Sequence, residues 1–199
     1  MEAVVIAAGE GRRLRPLTER WPKPILPVDG KPVIATLLQE LDGAGVGPTT
    51  VVVGHLGDQI RRLLAGLDVR FAEQPEPLGS ADAVRAAVRD GARAPFVVTV
   101  ADTVYESGEV RRFVDAWERS GAACAAAPPL WGVGPQLLPY LEDLPGPPFE
   151  LRHAFERVRA AGTHVAQLEL RPTRALTEPA DLVVHNFVYL EEADDERDV

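Results

Sequence analysis

Short runs of β-branched and small apolar residues alternate along the chain with stretches whose apolar positions recur every three or four residues. The first kind predicts strands at Ala3–Ala7 (AVVIA), Thr50–Gly54 (TVVVG), Val69–Glu73, Phe96–Ala101 (FVVTVA), Ala122–Ala126 and His164–Leu170. The second kind predicts a helix through Val33, Ile34, Leu37, Leu38 and Leu41. Another runs through Val110, Phe113, Val114 and Trp117, with Ser107 as its expected N-cap. Two later helices are marked by Leu151, Ala154, Phe155 and Val158, and by Leu182, Val183, Phe187 and Leu190. Runs without polar alternation suit strands covered on both faces. The alternation of strands and helices therefore predicts an α/β fold, a single-domain, Rossmann-like three-layer sandwich around a mostly parallel sheet. Clusters of proline and glycine at Pro128–Pro135 and Pro145–Pro148 read as loops.

Composition narrows the picture. With 199 residues and 46% hydrophobic content the chain can bury one good core. No apolar run reaches the ~20 residues of a membrane span, and a secretory leader is not expected. A lone cysteine, Cys124, cannot form an internal disulfide, which points to the cytoplasm. The net charge of −9 argues against a nucleic-acid partner, because a polyanion wants a basic face. More than half of that charge lies in residues 191–199, read as an acidic, solvated tail after a domain spanning 1–190. The opposite imbalance occurs near the start, where Arg12, Arg13, Arg15, Arg20 and Lys23 crowd together with only Glu10 and Glu19 to oppose them. A local basic loop on an acidic protein suits a small anionic ligand.

Ligands of open parallel sheets bind beyond the carboxyl ends of the strands. The first predicted strand runs into AAGEGRRLRPLT, where Gly9 and Gly11 permit tight turning and close approach of backbone N–H groups to an anion. Leu14 stands where a dinucleotide fingerprint needs its third glycine, and the Walker pattern is absent. The four histidines lack metal-ligand spacing, and Ser80 has no nucleophile-elbow context. Trp131 reads as a partly buried core aromatic more readily than as the wall of a sugar pocket.

Taken together, AAGEGRRLRPLTERWPKPILPVDGKPVI resembles the signature of the sugar-1-phosphate nucleotidyltransferases, which make nucleoside-diphosphate sugars. EQPEPLGSADAVRAA (residues 73–87) is similar to that family's base-recognition loop, VTVADTVY (98–105) to its metal-binding strand end, and GTHVAQLELRPTRALTEPADL to its closing segment. The resemblance implies the nucleotide-diphospho-sugar transferase type of fold, with Ala8, Gly9, Gly11 and Arg12 around the nucleotide. It places Arg13 on the β- and γ-phosphates, where its fork suits phosphate oxygens. Lys23 would lie near the α-phosphate, where charge builds during attack. Gln74 and Gly79 would meet a pyrimidine, favouring UTP or dTTP. Asp102 would hold Mg²⁺. The implied partners are a nucleoside triphosphate and a sugar 1-phosphate; a homo-oligomer is left open.

Three departures from the pattern are visible. Ala175 falls where the closing segment usually carries a second metal-binding Asp, with Glu178 and Asp181 as nearby substitutes. No lysine follows Lys31, so the family's Glu-Lys-Pro motif for the sugar phosphate is missing, and Ala101 replaces a usual glycine. The acceptor half is therefore shortened. A nucleotide-binding relative without catalysis, or transfer to a non-sugar phosphate such as phosphocholine, are the alternatives to be separated.

Overall fold

The computed structural model describes residues 1–142 and 144–187. The acidic stretch 191–199 and Leu190 lie outside the described residues. In chain order the elements are β1 (Glu2–Ala7), β2 (Pro27–Val28), β3 (Lys31–Pro32), α1 (Val33–Gly43), β4 (Thr49–Val53), α2 (Gly57–Leu63), β5 (Val69–Glu73), α3 (Ser80–Arg89), β6 (Phe96–Val100), β7 (Thr103–Val104), α4 (Glu109–Ser120), β8 (Cys124–Ala127), β9 (Leu130–Val133), α5 (Leu151–Ala160), β10 (Val165–Gln167), β11 (Arg174–Ala175) and α6 (Pro179–Asn186). Short 3-10 turns at Arg12–Leu14, Leu17–Glu19 and Lys23–Ile25 fill the long connection after β1.

Among the described residues, seven strands form one sheet in the order β10–β8–β9–β6–β1–β4–β5. β1 runs parallel to both of its neighbours, with Val5 opposite Val51 on one side and Thr99 on the other. Alternate residues of each strand leave the sheet on opposite sides. Ala3, Val5, Val51, Val53 and Val97 meet the apolar stripes of α1, α2 and α4, built on Ile34, Leu37, Leu41, Ile60, Phe113 and Trp117. Val4, Val52, Phe96 and Val98 meet α3 and α5, through Val84, Ala87, Leu151, Phe155 and Val158. The architecture is the expected three-layer α/β sandwich with a mostly parallel sheet.

The expectations fail in three places. Leu130–Val133, read as loop, is strand β9, and it pairs antiparallel with both β6 and β8. Its Trp131 packs against the second core, opposite Val98 and Ala126, so the core reading of this aromatic holds. Ser107 does not cap α4; Gly108, in the left-handed region at φ 78°, occupies that position. The stripe expected on the last helix is a core face only at Leu182, which packs against buried apolar residues, while Val183 and Phe187 of the α6 region are exposed. Cys124 is buried, and burial pushes its thiol up from the ordinary value. No helix of the described residues is long and apolar enough to cross a membrane.

Candidate active site

β6 and β1 end side by side, and the hydrogen bond from Ala101 N–H to the Ile6 carbonyl (2.9 Å) continues their pairing one step past the sheet. Asp102 is thereby set beside the loop that follows β1. A small separate cluster of Leu14, Leu26, Val28, Val33, Val104 and Leu176 lies under these connections and holds them together. Without that apolar footing, a stretch rich in Pro, Arg and Gly would have little to fix its path.

Gly11 is the point where the loop needs glycine. Its φ is 62°, and a Cβ there would sit 2.9 Å from Thr18 Cγ2 and 3.4 Å from Lys23 Cβ. The fully buried Thr18 donates its hydroxyl to the Gly11 carbonyl at 2.9 Å, and His55 Nε2 meets the Thr18 carbonyl at 2.8 Å. The loop is thus folded back so that Lys23 stands over its own start.

The result is a cleft of about 310 Å³ lined by the loop's Gly9, Gly11, Arg12 and Arg13, by Lys23, and by Asp102 and Thr177. Lys23 Nζ is ion-paired with Asp102 Oδ2, across 79 residues of sequence. Arg12 donates from Nε to Glu10 at 2.7 Å, and that guanidinium holds the Glu10 carboxyl below its ordinary range. Arg13 is exposed and has no hydrogen bond or ion pair among the described residues, so its fork is free to meet an anion. Among the described residues one carboxylate, three cations and a glycine-rich turn meet in this cleft, a place for a polyanion with a counter-cation.

The remaining expected site residues stand apart from this cleft. Ala8 is buried beneath it, and its carbonyl accepts from His55 N–H at 3.4 Å. Gln74 and Gly79 sit after β5, which β1 and β4 separate from β6. Gly79 has φ 114°, and a Cβ on it would lie 2.5 Å from the Phe149 carbonyl oxygen. The backbone here is already laced to residue 149, with Phe149 N–H donating to Leu78 O (2.7 Å) and Ala81 N–H to Phe149 O (2.8 Å). Gly79→Ala should therefore destabilise the fold by at least about 2 kcal/mol. That is a fall of roughly 4–8 °C in a thermal melt for a chain of this size. An unchanged melt would show that the loop can move aside.

The closing segment differs from expectation. Ala175 lies in β11, in register with Thr103 of β7, and the residue of this segment that lines the cleft is Thr177. Neither proposed substitute reaches it. Asp181 Oδ2 accepts from the backbone N–H groups of Glu178 (2.8 Å) and Thr177, which hold its carboxyl below the ordinary range. Glu178 returns the favour as N-cap of α6, so both carboxylates are spent on a capping box. Among the described residues no cluster of three or more His, Cys, Asp or Glu is arranged to hold a metal. Two contributors escaped sequence reading. Thr177 has no chemical signature, and Gly54, whose Cβ would lie 2.5 Å from the Gln74 carbonyl and 3.0 Å from Ala8, is visible only once β4 and β5 are paired.

Residues 3–146 match the MobA-like NTP transferase domain family. The chain belongs to that family. Within the NTP transferase relatives, it is 37% identical to a CMP-5'-(3-aminopropyl)phosphonate synthase of Streptomyces rubellomurinus, over 65% of this chain and 21% of that protein. It is 36% identical to the UTP–glucose-1-phosphate uridylyltransferase AglF of Haloferax volcanii, over 54% of this chain and 45% of that one. A D-glycero-alpha-D-manno-heptose 1-phosphate guanylyltransferase of Aneurinibacillus thermoaerophilus is 28% identical over 53% of this chain and 47% of its own length. The NTP transferase chain thus spans less than half the length of these curated relatives. A solved structure from Bacillus anthracis, described as a glucose-1-phosphate thymidylyltransferase, superposes with a TM-score of 0.80 at 16% identity, covering 94% of each chain. At that identity the likeness speaks for the fold.

Proposed function

We propose that this NTP transferase domain joins a nucleoside triphosphate, UTP or dTTP, to a sugar 1-phosphate and releases pyrophosphate. The observation that carries the reading is the meeting of Gly9, Gly11, Arg13, Lys23 and Asp102 in one cleft at the carboxyl ends of β1 and β6. The names of relatives that act on sugar 1-phosphates support the reaction class, although those proteins use different nucleotides.

In the reaction an oxygen of the acceptor phosphate attacks the α-phosphorus in line. A new P–O bond forms to the acceptor, the bond between the α-phosphorus and the bridging oxygen breaks, and pyrophosphate leaves with that electron pair. No covalent enzyme intermediate is required, so positioning and charge neutralisation carry the rate. Arg13 grips the outer phosphates. Lys23 swings from Asp102 to the α-phosphate as charge accumulates there.

The donors around Asp102 fit Mg²⁺. One carboxylate with the oxygen-bearing Thr177 nearby is a hard-oxygen set, and Mg²⁺ commonly binds through one or two carboxylates with water and substrate phosphates. The ion when bound neutralises phosphate charge; Asp102 and Thr177 would hold it. A second carboxylate at the cleft should therefore tighten the metal. Thr177→Asp is expected to lower the Mg²⁺ concentration giving half-maximal rate by several-fold, while Ala175→Asp leaves it unchanged. A shift at 175 and none at 177 would return the site to the position first expected from sequence.

The shortened acceptor half and the lining of the cleft, with Asp102 as its one carboxylate among the described residues, favour one competing reading, a domain that binds nucleotide without turnover. Pyrophosphate release separates the two when UTP and dTTP are tested with sugar 1-phosphates and phosphocholine in the presence of Mg²⁺. Release with a sugar 1-phosphate is expected. Tight UTP binding with no release on any acceptor would favour the binding domain.

A further inference from the structure

Gln74 follows β5 and is buried, with 5% of its surface exposed. Its amide nitrogen donates to the Gly79 carbonyl and to Asp82 Oδ2, each at 2.9 Å. Both neighbours are acceptors, so only the NH₂ group can face them; the opposite orientation would set oxygen against oxygen twice. Asp82 is itself buried at the first turn of α3 and takes Arg85 on its other oxygen at 2.6 Å. Burial alone would raise the Asp82 carboxyl, but the hydrogen bonds from Gln74 and Arg85 outweigh it and hold the group below its ordinary range. Arg85 is fixed in turn with its guanidinium 5.1 Å from the centre of the Phe149 ring. The Gln74 amide is therefore clamped through a chain of buried or half-buried groups. Its Oε1 has no partner among the described residues, nor does it figure among the atoms sealed from solvent without a hydrogen bond.

We propose that Asp82 is a specificity-determining positioning residue: by claiming the Gln74 NH₂ group it leaves only the Oε1 acceptor to meet the base. The inference rests on the reading of Gln74 as the base-contacting residue. An acceptor held in place pairs with a ring N–H, present at N3 of uracil and thymine, and confronts the lone pair of cytosine N3. The choice between pyrimidines is then made by a carboxylate that never touches the nucleotide. Losing the matched bond, and facing acceptor with acceptor, is worth on the order of tenfold or more in affinity.

The test is the ratio of equilibrium affinities for UTP and CTP, with Mg²⁺, in the native protein and in Gln74→Ala, Asp82→Leu and Asp82→Asn. UTP should bind about tenfold or more tightly to the native protein. Gln74→Ala and Asp82→Leu should both bring the ratio close to one, whereas Asp82→Asn, which keeps an acceptor oxygen, should retain most of it. A purely structural role for Asp82 would weaken both nucleotides together and spare the ratio, overturning the proposal. If Gln74→Ala leaves the ratio intact, the base-contact reading itself fails. A second measurement reads the clamp in the native protein: hydrogen exchange of the Gln74 side-chain amide, its signal assigned by its disappearance in Gln74→Ala. Protection that persists on adding UTP is expected; exchange as fast as in a solvent-exposed glutamine would overturn the clamp.

Discussion

Replacing Lys23 with alanine should slow turnover on the order of 100-fold or more while leaving nucleotide affinity within a few-fold of native. Among the described residues its ammonium is one of two cations in the cleft without a carboxylate of the same loop to occupy it, and Asp102 holds it at the cleft before any substrate arrives. A cation that turns from Asp102 to the α-phosphate as charge builds there acts chiefly on the transition state, so its loss should appear in kcat rather than in binding. The fold should survive. The Asp102 side chain keeps 26% of its surface exposed, so the carboxylate abandoned by the lysine can be solvated. Lys23→Arg should not restore the rate, because a planar fork cannot take the place of the compact ammonium that pairs with Asp102. Full turnover in Lys23→Ala would remove this residue from the mechanism.

Asp102→Asn should have the larger effect, a fall on the order of 1000-fold, equal to roughly 4 kcal/mol at 1.36 kcal/mol per tenfold. The substitution preserves shape and removes the cleft-lining carboxylate that can hold a divalent cation. It also frees Lys23 from its ion pair, so the loss cannot be ascribed to a missing ammonium. The remaining activity should need far more Mg²⁺, and a thermal melt should stay close to native because the Asp102 backbone, which accepts from Leu176 N–H at 3.1 Å, is untouched. An unaltered Mg²⁺ titration would separate Asp102 from the metal.

Much of the frame behind these effects is legible in the residue order. β4, β6 and residues 3–7 of β1 are uncharged and largely buried, and such runs admit few other readings. The phosphate loop is legible for a different reason: its glycines and arginines are contiguous, so their chemistry is concentrated without knowledge of the fold. β9 is hidden by the glycines and prolines around Leu130–Val133, which signal a loop locally and become a strand only because β6 and β8 offer edges on both sides. Helix α3 is likewise quiet in sequence, since its buried face is mostly alanine.

The site shows the same division. Lys23 and Asp102 are each readable as a cation and a strand-end carboxylate, yet their pairing depends on the sheet order that sets β6 beside β1. The position of the closing segment could not be counted from Asp181, because the register of β11 on β7 brings Thr177, not Ala175, to the cleft. Gln74 announces itself as an amide, but not which of its atoms is available. That follows from Gly79 and Asp82, which surround the nitrogen only in the folded chain.

The central claim is that the loop after β1 and the end of β6 together take a magnesium-bound triphosphate. The most direct measurement is a crystal structure with Mg²⁺ and a UTP analogue whose α–β bridge cannot be cleaved. The account predicts the triphosphate along Gly9–Arg13, Lys23 drawn from Asp102 towards the α-phosphate, and Mg²⁺ on Asp102. A nucleotide seated elsewhere, for example in the separate cavity beside α2 lined by Gln59, Arg61 and Glu73, with the Lys23–Asp102 pair intact, would contradict it.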